Sequence, residues 1–592
     1  MSRRSALAAL TAAALLCLAG CGSDEPPASP DKRSSAVTLR IATYDDQAVS
    51  GGRLVDHFAS LWERIADAIP EAPAVVQGQV RRSWGELEAR AALLAGALRA
   101  SGLGEGSKVG LFLYNGPEYI EATFAAFKIR AVPVNVNYRY LDEELHYLLD
   151  NADAEAVVFH TSLGGRIAAV QERLPLVRLW LAVDDGPPEQ GGPGEVGQPY
   201  EEVLAAAAPA PRIERSEHDL TLLYTGGTTG MPKGVMGEVG NGVRAGLAGL
   251  GPLIGMAAAT SASAVEAAAR LHAEGAQLGS VVPCPLMHGT GMGIGCTPAL
   301  SLGGKVVLLE GRGFDPREVW SLVERERATG ITVVGDVFAR PMLRALEALE
   351  AEGATPDLSS LALIASAGAM FSTEVKDALC ERIPTMVIAD LMAASEGAMG
   401  QSIHHRGSTS TTGRFSVGAQ TKVFDEDDRE VEPGSGAVGR VAVAGGIPLG
   451  YYKDPDKTAA TFREVQGTRY SFPGDWATVE ADGTITLLGR GSQVVNTGGE
   501  KVFAEEVEEV VKTHDAVDDC LVVGVPDETF GNRVVAVVAL SAPVEERDLI
   551  AHTKAHLASF KAPRQVVVVE KVPRSPNGKA DYKAARAAAE RA

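Results

Sequence analysis

Along most of the chain, short apolar runs of strand character alternate with stretches in which apolar positions recur at helical spacing. The strand-like runs include Lys108–Tyr114, Val132–Val136, Ala156–Phe159 and Gly304–Leu309, and this alternation predicts α/β architecture with layered parallel sheets. One intervening helix is well marked. Asp315 stands as its N-cap, Pro316 occupies the first helical position, and Val319, Leu322 and Val323 supply an apolar face. Gly186–Pro199 and Ala205–Pro211, rich in Gly and Pro or in Ala and Pro, read as surface connections. Near Gly489–Ser492 the pattern changes to a smaller mixed unit. Its strands are expected at Cys520–Val525, Val534–Leu540 and Gln565–Val569, with a helix over Glu546–Leu557. The expected organisation is a large layered N-terminal domain with parallel sheets over residues 53–489 and a small α+β C-terminal domain over 490–592.

The first fifty residues do not share this pattern. Ser2-Arg3-Arg4 precedes an apolar stretch from Ala6 to Leu18 and then Leu18-Ala19-Gly20-Cys21, the layout of a secretory signal. The last four residues resemble a bacterial lipobox, which makes residues 1–21 a lipoprotein-like signal peptide with Cys21 as the lipidation site. Residues 22–52 read as a linker or junction, with Gly22–Ser35 a flexible tether. Ala36–Asp46 is similar to the opening strand of exported solute-binding lipoproteins.

Composition narrows the classes. Of the 592 residues, 45% are hydrophobic and 22% charged, and after the first twenty no apolar run is long enough to span a bilayer. A polytopic membrane protein is excluded. The formal net charge is -21 with no basic run or stripe, so nucleic acid is not an expected partner. Any anionic substrate must be captured by local donors. Outside the leader, Cys284, Cys296, Cys380 and Cys520 are scattered in neither a disulfide nor a zinc spacing, and read as buried thiols. The adjacent pair His404-His405 has no spaced partners and reads as surface residues.

The strongest local signal for chemistry is Tyr224-Thr225-Gly226-Gly227-Thr228-Thr229-Gly230-Met231-Pro232-Lys233-Gly234, which follows the apolar run Leu220–Leu223. Glycines admit backbone amides to phosphate oxygens, hydroxyls add donors, and a lysine neutralises charge. The loop reads as a polyphosphate cradle. It is not a Walker A loop, because Lys233 does not directly follow the second glycine of that pattern.

This loop resembles the phosphate-binding loop of the adenylate-forming superfamily of acyl-CoA synthetases, luciferases and peptide-synthetase adenylation domains. Further motifs follow in that superfamily's order, from about Leu54 to Lys583. The resemblance makes Thr225, Gly226, Gly227, Thr228, Thr229, Gly230 and Lys233 nucleotide-binding residues, with Thr228 also catalytic and a metal ligand. Pro285–Gly291 is similar to the segment lining the acyl pocket, which makes His288 a pocket gate or carboxylate neighbour. Ser366–Met370 resembles the turn against adenine, which implicates Gly368 and Ala369. Asp390–Gly397 occupies the place of an aromatic-Gly-x-Thr-Glu motif, with Met392 and Ala393 where an aromatic and a glycine are usual. Met392, Ser395 and Glu396 are then nucleotide contacts, and Glu396 is the magnesium ligand, a hard oxygen suited to that ion. Pro473-Gly474-Asp475 is similar to the segment whose aspartate holds both ribose hydroxyls. Gly489-Arg490-Gly491-Ser492 matches the start of a hinge motif, with Arg490 reaching the ribose. Asn496–Phe503, with Gly498, Gly499 and Glu500, looks like the segment that swings in to form the thioester site, with Ala504 where proline is common. Pro573–Lys579 resembles the terminal lysine motif, with Lys579 the adenylation catalyst.

What the resemblance implies is an AMP-forming acid–thiol ligase. A carboxylic acid, of fatty or sterol side-chain type, is activated by ATP and Mg2+ to acyl-AMP and then transferred to coenzyme A, in residues 53–489 as the AMP-binding adenylation domain and in a mobile C-terminal domain over 490–592. Such chemistry belongs in the cytoplasm, whereas use of the leader would make a membrane-anchored lipoprotein. Two other readings are an adenylating enzyme without CoA transfer and a lipid-anchored fusion with impaired catalysis.

Overall fold

The computed structural model describes residues 55–592 except 187–195, 228–229, 257–258, 410, 498–499, 528–530 and 576–577. The leader with Cys21, and Thr228, Thr229, Gly498 and Gly499, therefore lie outside the described residues, as does the side chain of Glu500.

Two eight-stranded sheets form the large part of the molecule. One runs in the order Gly397–His404, Val387–Ala394, Leu363–Ala367, Gly330–Val333, Gly279–Val281, Lys305–Leu308, Pro73–Gln77 and Val80–Ser83, parallel except at its two edges. The other runs Gly450–Tyr451, Gly230–Glu238, Leu220–Gly227, Val132–Asn135, Lys108–Phe112, Ala154–His160, Leu179–Val183 and Gln198–Pro199. It is parallel from Leu220–Gly227 onward, and the expected strands fall inside it and its neighbour.

Alternation along each strand decides the layering. Val75 and Val306 face one core together with Val109, Leu111 and Val158 of the second sheet, so that core lies between the sheets. Val76 and Val307 point the other way, against the helices Pro316–Glu326 and Gly335–Ala351. Phe112, Val134 and Phe159 of the second sheet meet the helix Asp142–Asn151 on its outer face. Both faces of both sheets are buried, as parallel sheets require. The helix at Pro316 starts as its sequence predicts, with the Asp315 carboxylate accepting from the amides of Arg317 and Glu318 at 2.9 and 3.3 Å.

A third, antiparallel sheet of seven strands adjoins these, and its last two strands along the chain are the pair Asp475–Val479 and Ile485–Arg490. The remaining chain forms a hairpin, Val494–Thr497 with Glu500–Phe503, and a three-stranded sheet of Val517–Asp527, Gly531–Leu540 and Gln565–Val568. The helices Ala504–Lys512, Glu546–His556 and Tyr582–Arg591 accompany it. The molecule thus has a large N-terminal lobe with parallel sheets and a small α+β C-terminal lobe.

Two expectations are corrected here. Ala205–Pro211 is not a plain surface connection: the helix Tyr200–Ala206 enters it, and Ala210 is buried with its amide bonded to Ala92 O at 2.8 Å. His404 is not a surface residue, because period-two alternation in Gly397–His404 turns it inward, fully buried, with Nε2 2.8 Å from Asp377 Oδ1. His405, on the other face, is exposed. All four described cysteines are buried thiols.

Candidate active site

The two lobes enclose a cavity of about 860 Å3, within the usual range of about 300–1,000 Å3 for ligand pockets. Thr225, His288, Gly368 and Ser395 line it from the large lobe, and Lys579 from the small one. An apolar wall of Leu148, Leu223, Met287, Ile294 and Val334 completes it.

The cradle is a hairpin in which Leu220–Gly227 pairs with Gly230–Glu238, Thr225 opposite Lys233 and Gly227 opposite Gly230. Its position is set by Asn135, whose side-chain amide donates to Tyr224 O and Met287 O while its Oδ1 accepts from Tyr224 N. The glycine-rich hairpin and the segment Pro285–Gly291 are therefore pinned to one side chain. Lys233 leaves the hairpin toward Asp454, with Nζ 3.5 Å from Oδ2 and 5.7 Å from the centre of the Tyr451 ring.

Gly368 follows the strand Leu363–Ala367 with φ +92°, a conformation that favours glycine, and a Cβ there would lie 3.9 Å from Lys579 Cε. The turn thus faces the lysine directly. Lys579 itself sits on a tight turn: Ser575 N donates to Lys579 O, Gly578 N donates to Ser575 O, and Arg574 holds both Asp519 oxygens and Gly578 O. Asp581 then caps the helix Tyr582–Arg591. The lysine is reached by solvent through the cavity, yet the surrounding walls lower its pKa, Arg490 adds to this, and Glu396 opposes it.

His288 Nε2 is buried and has no hydrogen-bond partner among the described residues. Burial, with Lys579 nearby, holds its pKa down at about 3, so the ring is neutral at pH 7. Asp475 is 6% exposed, and its Oδ2 likewise has no partner. Oδ1 lies 3.4 Å from Arg490 Nε, and burial raises the carboxyl's pKa against the pull of that arginine. A buried acceptor without a donor is costly, and two ribose hydroxyls are donors that fit it. Glu396 accepts from the Tyr451 hydroxyl at 2.7 Å through Oε1. Among the described residues no group of three or more His, Cys, Asp or Glu side chains is placed to hold a metal alone. One carboxylate plus nucleotide phosphates is, however, the usual coordination of Mg2+, so Glu396 fits that role.

Two residues expected from sequence to contact the nucleotide have side chains that pack away from the cavity. Met392 packs in the core with Met399, Phe415 and Val441 and is 5% exposed, while Ala393, Ala394 and Ser395 line the cavity. The strand alternation, with a register shift at Met392/Ala393, sends that side chain away from the site. Ala369 turns its methyl toward the core under the helix Gly335–Ala351, while Ala367 and Gly368 of that turn line the cavity. Sequence reasoning missed Asn135, Tyr451 and Asp454. The last two had a legible signal in Asp454-Pro455, an N-cap with proline at the first helical position.

Residues 62–452 match the model of the AMP-binding enzyme family, and residues 506–579 match that of the AMP-binding enzyme C-terminal domain. The chain is 42% identical over 538 residues to a 3-oxocholest-4-en-26-oate–CoA ligase of Rhodococcus rhodochrous, covering 90% of this chain and 95% of that one. It is 40% identical over 538 residues to a medium/long-chain-fatty-acid–CoA/3-oxocholest-4-en-26-oate–CoA ligase of Mycolicibacterium smegmatis, covering 90% and 96%. Among solved structures, the anthranilate CoA ligase AuaEII with anthranoyl-AMP shares the fold, with a TM-score of 0.75 at 21% identity over 91% of this chain and 98% of that one. The amide bond synthetase McbA of Marinactinospora thermotolerans is similar at a TM-score of 0.71 and 26% identity, over 90% and 99%. The chain belongs to the AMP-binding enzyme family, in its acyl-CoA synthetase branch.

Proposed function

We propose that this protein is an AMP-forming acyl-CoA synthetase for a fatty or sterol side-chain carboxylic acid. The observation that carries the reading is the meeting of Lys579 with Gly368 and His288 in one cavity, with Arg490 and Glu396 acting electrostatically on both Lys579 and Asp475. The substrate class rests on the apolar wall and on the names of the relatives.

A carboxylate is a poor electrophile, since thiolate attack would have to expel oxide. In the first step a carboxylate oxygen attacks the α-phosphorus of ATP, the bond to the β-phosphate bridging oxygen breaks, and pyrophosphate leaves. In the second the CoA thiolate attacks the acyl carbonyl and AMP departs. The first step brings an anion to a polyanion, so positioning and preorganised charge supply the catalysis. The cradle hairpin, with Thr225, Thr228, Thr229 and Lys233, holds the phosphates. Asp475 and Arg490 hold the ribose, Ser395 and the Gly368 turn border the nucleotide, and neutral His288 neighbours the carboxylate. Lys579 lies between carboxylate and α-phosphate. Glu396 with Thr228 would hold Mg2+, which would supply neutralisation of the phosphate charge. The functional division falls at residues 53–489 and 490–592. After adenylation the small domain turns about Arg490–Ser492, withdrawing Lys579 and presenting Gly498, Gly499 and Glu500 to CoA.

Lys579→Ala is expected to lower acid-dependent pyrophosphate exchange by about 100- to 1000-fold while retaining thioester formation from supplied acyl-AMP. Equal loss in both half-reactions would refute the two-step assignment. In the wild type, AMP release with fatty and steroid carboxylates should accompany acyl-CoA formation. AMP release without thioester would make it an adenylating enzyme of another kind. The leader adds a separate proposal, anchoring through lipidated Cys21. Membrane fractionation should then shift on Cys21→Ser, and an unchanged distribution would remove the anchor.

A further inference from the structure

Between the cradle lysine and the cation-binding carboxylate lies a tyrosine that the chemistry above does not use. Tyr451 is 5% exposed, its hydroxyl donates to Glu396 Oε1 at 2.7 Å, and its ring lies 5.7 Å from Lys233 Nζ. Glu396 Oε2 makes no hydrogen bond or ion pair among the described residues. The phenol therefore occupies one carboxylate oxygen and leaves the other available to a ligand.

The surroundings hold this side chain firmly. Tyr451 pairs with Val235 across the second strand of the cradle hairpin, and its amide donates to Thr458 Oγ1 at 2.9 Å. Its ring packs on Phe462 with centres 5.6 Å apart. Gly450 before it has φ +149°, and a Cβ there would lie 2.5 Å from Thr458 Cγ2, so the strand can approach the helix Pro455–Thr461 only with glycine at that place. One rigid residue thus spans the hairpin bearing Lys233 and the strand turn bearing Glu396, the two groups that must share one triphosphate.

Resting on the proposed function, we infer that Tyr451 is a positioning residue for the ATP-bound divalent cation: it fixes Glu396 in the orientation that presents Oε2 to the metal and sets its distance from Lys233. A donor to one oxygen removes the carboxylate's rotational freedom, and an oriented ligand binds its metal more tightly.

Tyr451→Phe removes the hydroxyl but retains the ring contacts with Phe462 and Lys233. The test is Mn2+ binding to the full chain with α,β-methylene-ATP, read from the paramagnetic resonance of free Mn2+. Tyr451→Phe should weaken Mn2+ by about tenfold, near the lower range for a hydrogen bond to a charged group, with Tm and the acid's KM unchanged. In a Glu396→Gln background the same substitution should have no further effect. Unchanged Mn2+ affinity in Tyr451→Phe, or an equal loss in the Glu396→Gln background, overturns the inference and leaves the proposed function standing. A wild-type chain that binds no Mn2+ with the nucleotide overturns both.

Discussion

Asp475 and His288 show how a binding site is visible in single atoms. Each carries a buried polar atom with no partner among the described residues, in a molecule where Lys128, for instance, buries its ammonium between Glu63 and Glu88 at 2.7 Å each. An unmet acceptor costs roughly 1–3 kcal/mol, which a ligand donor recovers on binding. Asp475→Asn keeps the shape but replaces a charged acceptor with a neutral amide. The KM for ATP should rise by about 10- to 100-fold, the range for hydrogen bonds to a charged group, while the fold persists by circular dichroism. An unchanged KM would take the ribose away from this carboxylate. At this scale Asp475, Arg490 and Lys579 were named from the motifs they stand in, whose resemblance to a family supplied the roles proposed for them. The sequence misled at His404, because side-chain direction depends on strand phase, which a pair of adjacent histidines does not contain.

Elements decide which charges meet. The helix Ala504–Lys512 lies against the end of Ile485–Arg490, where a Cβ on Gly489 would fall 3.2 Å from the Glu505 side chain. Burial pushes the Glu505 pKa up to about 7, with Glu508 on the same helix and Asp475 of the large lobe adding to it and Arg490 and Lys512 opposing. A raised pKa in the folded state means that the packed helix retains the proton. Its stabilising share is complete below about pH 4.5, the ordinary value, and is lost as pH climbs to about 7. Between pH 5 and 8 the wild-type Tm should therefore fall more than that of Glu505→Gln; parallel curves would remove Glu505 as the cause. The helix carrying this carboxyl was not marked by sequence, whereas Pro316–Glu326 was. The difference is the cap: Asp315-Pro316 states a helix start locally, and Phe503-Ala504 supplies no side-chain cap hydrogen bond.

For the whole molecule, the alternating pattern and the ordered motifs determined an α/β enzyme with a large parallel-sheet lobe, a small C-terminal lobe and an adenylate-forming kind of site. The architecture follows from sequence because periodicity is a property of neighbouring residues, and the kind of site follows from the resemblance of the ordered motifs to the adenylate-forming superfamily. The net charge of -21 likewise required that anions be met by local donors, the part proposed for Lys233, Arg490 and Lys579. Tertiary structure alone decided that Lys579 comes within reach of Gly368 and His288, more than two hundred positions away, and that Arg344 pairs with Asp518 across the lobes. It also decided that Asn135 pins two motifs together and that Tyr451 joins Lys233 to Glu396. The physical reason is that such contacts arise from the packing of sheets and lobes onto one another, and no local pattern records which distant side chains that packing brings face to face.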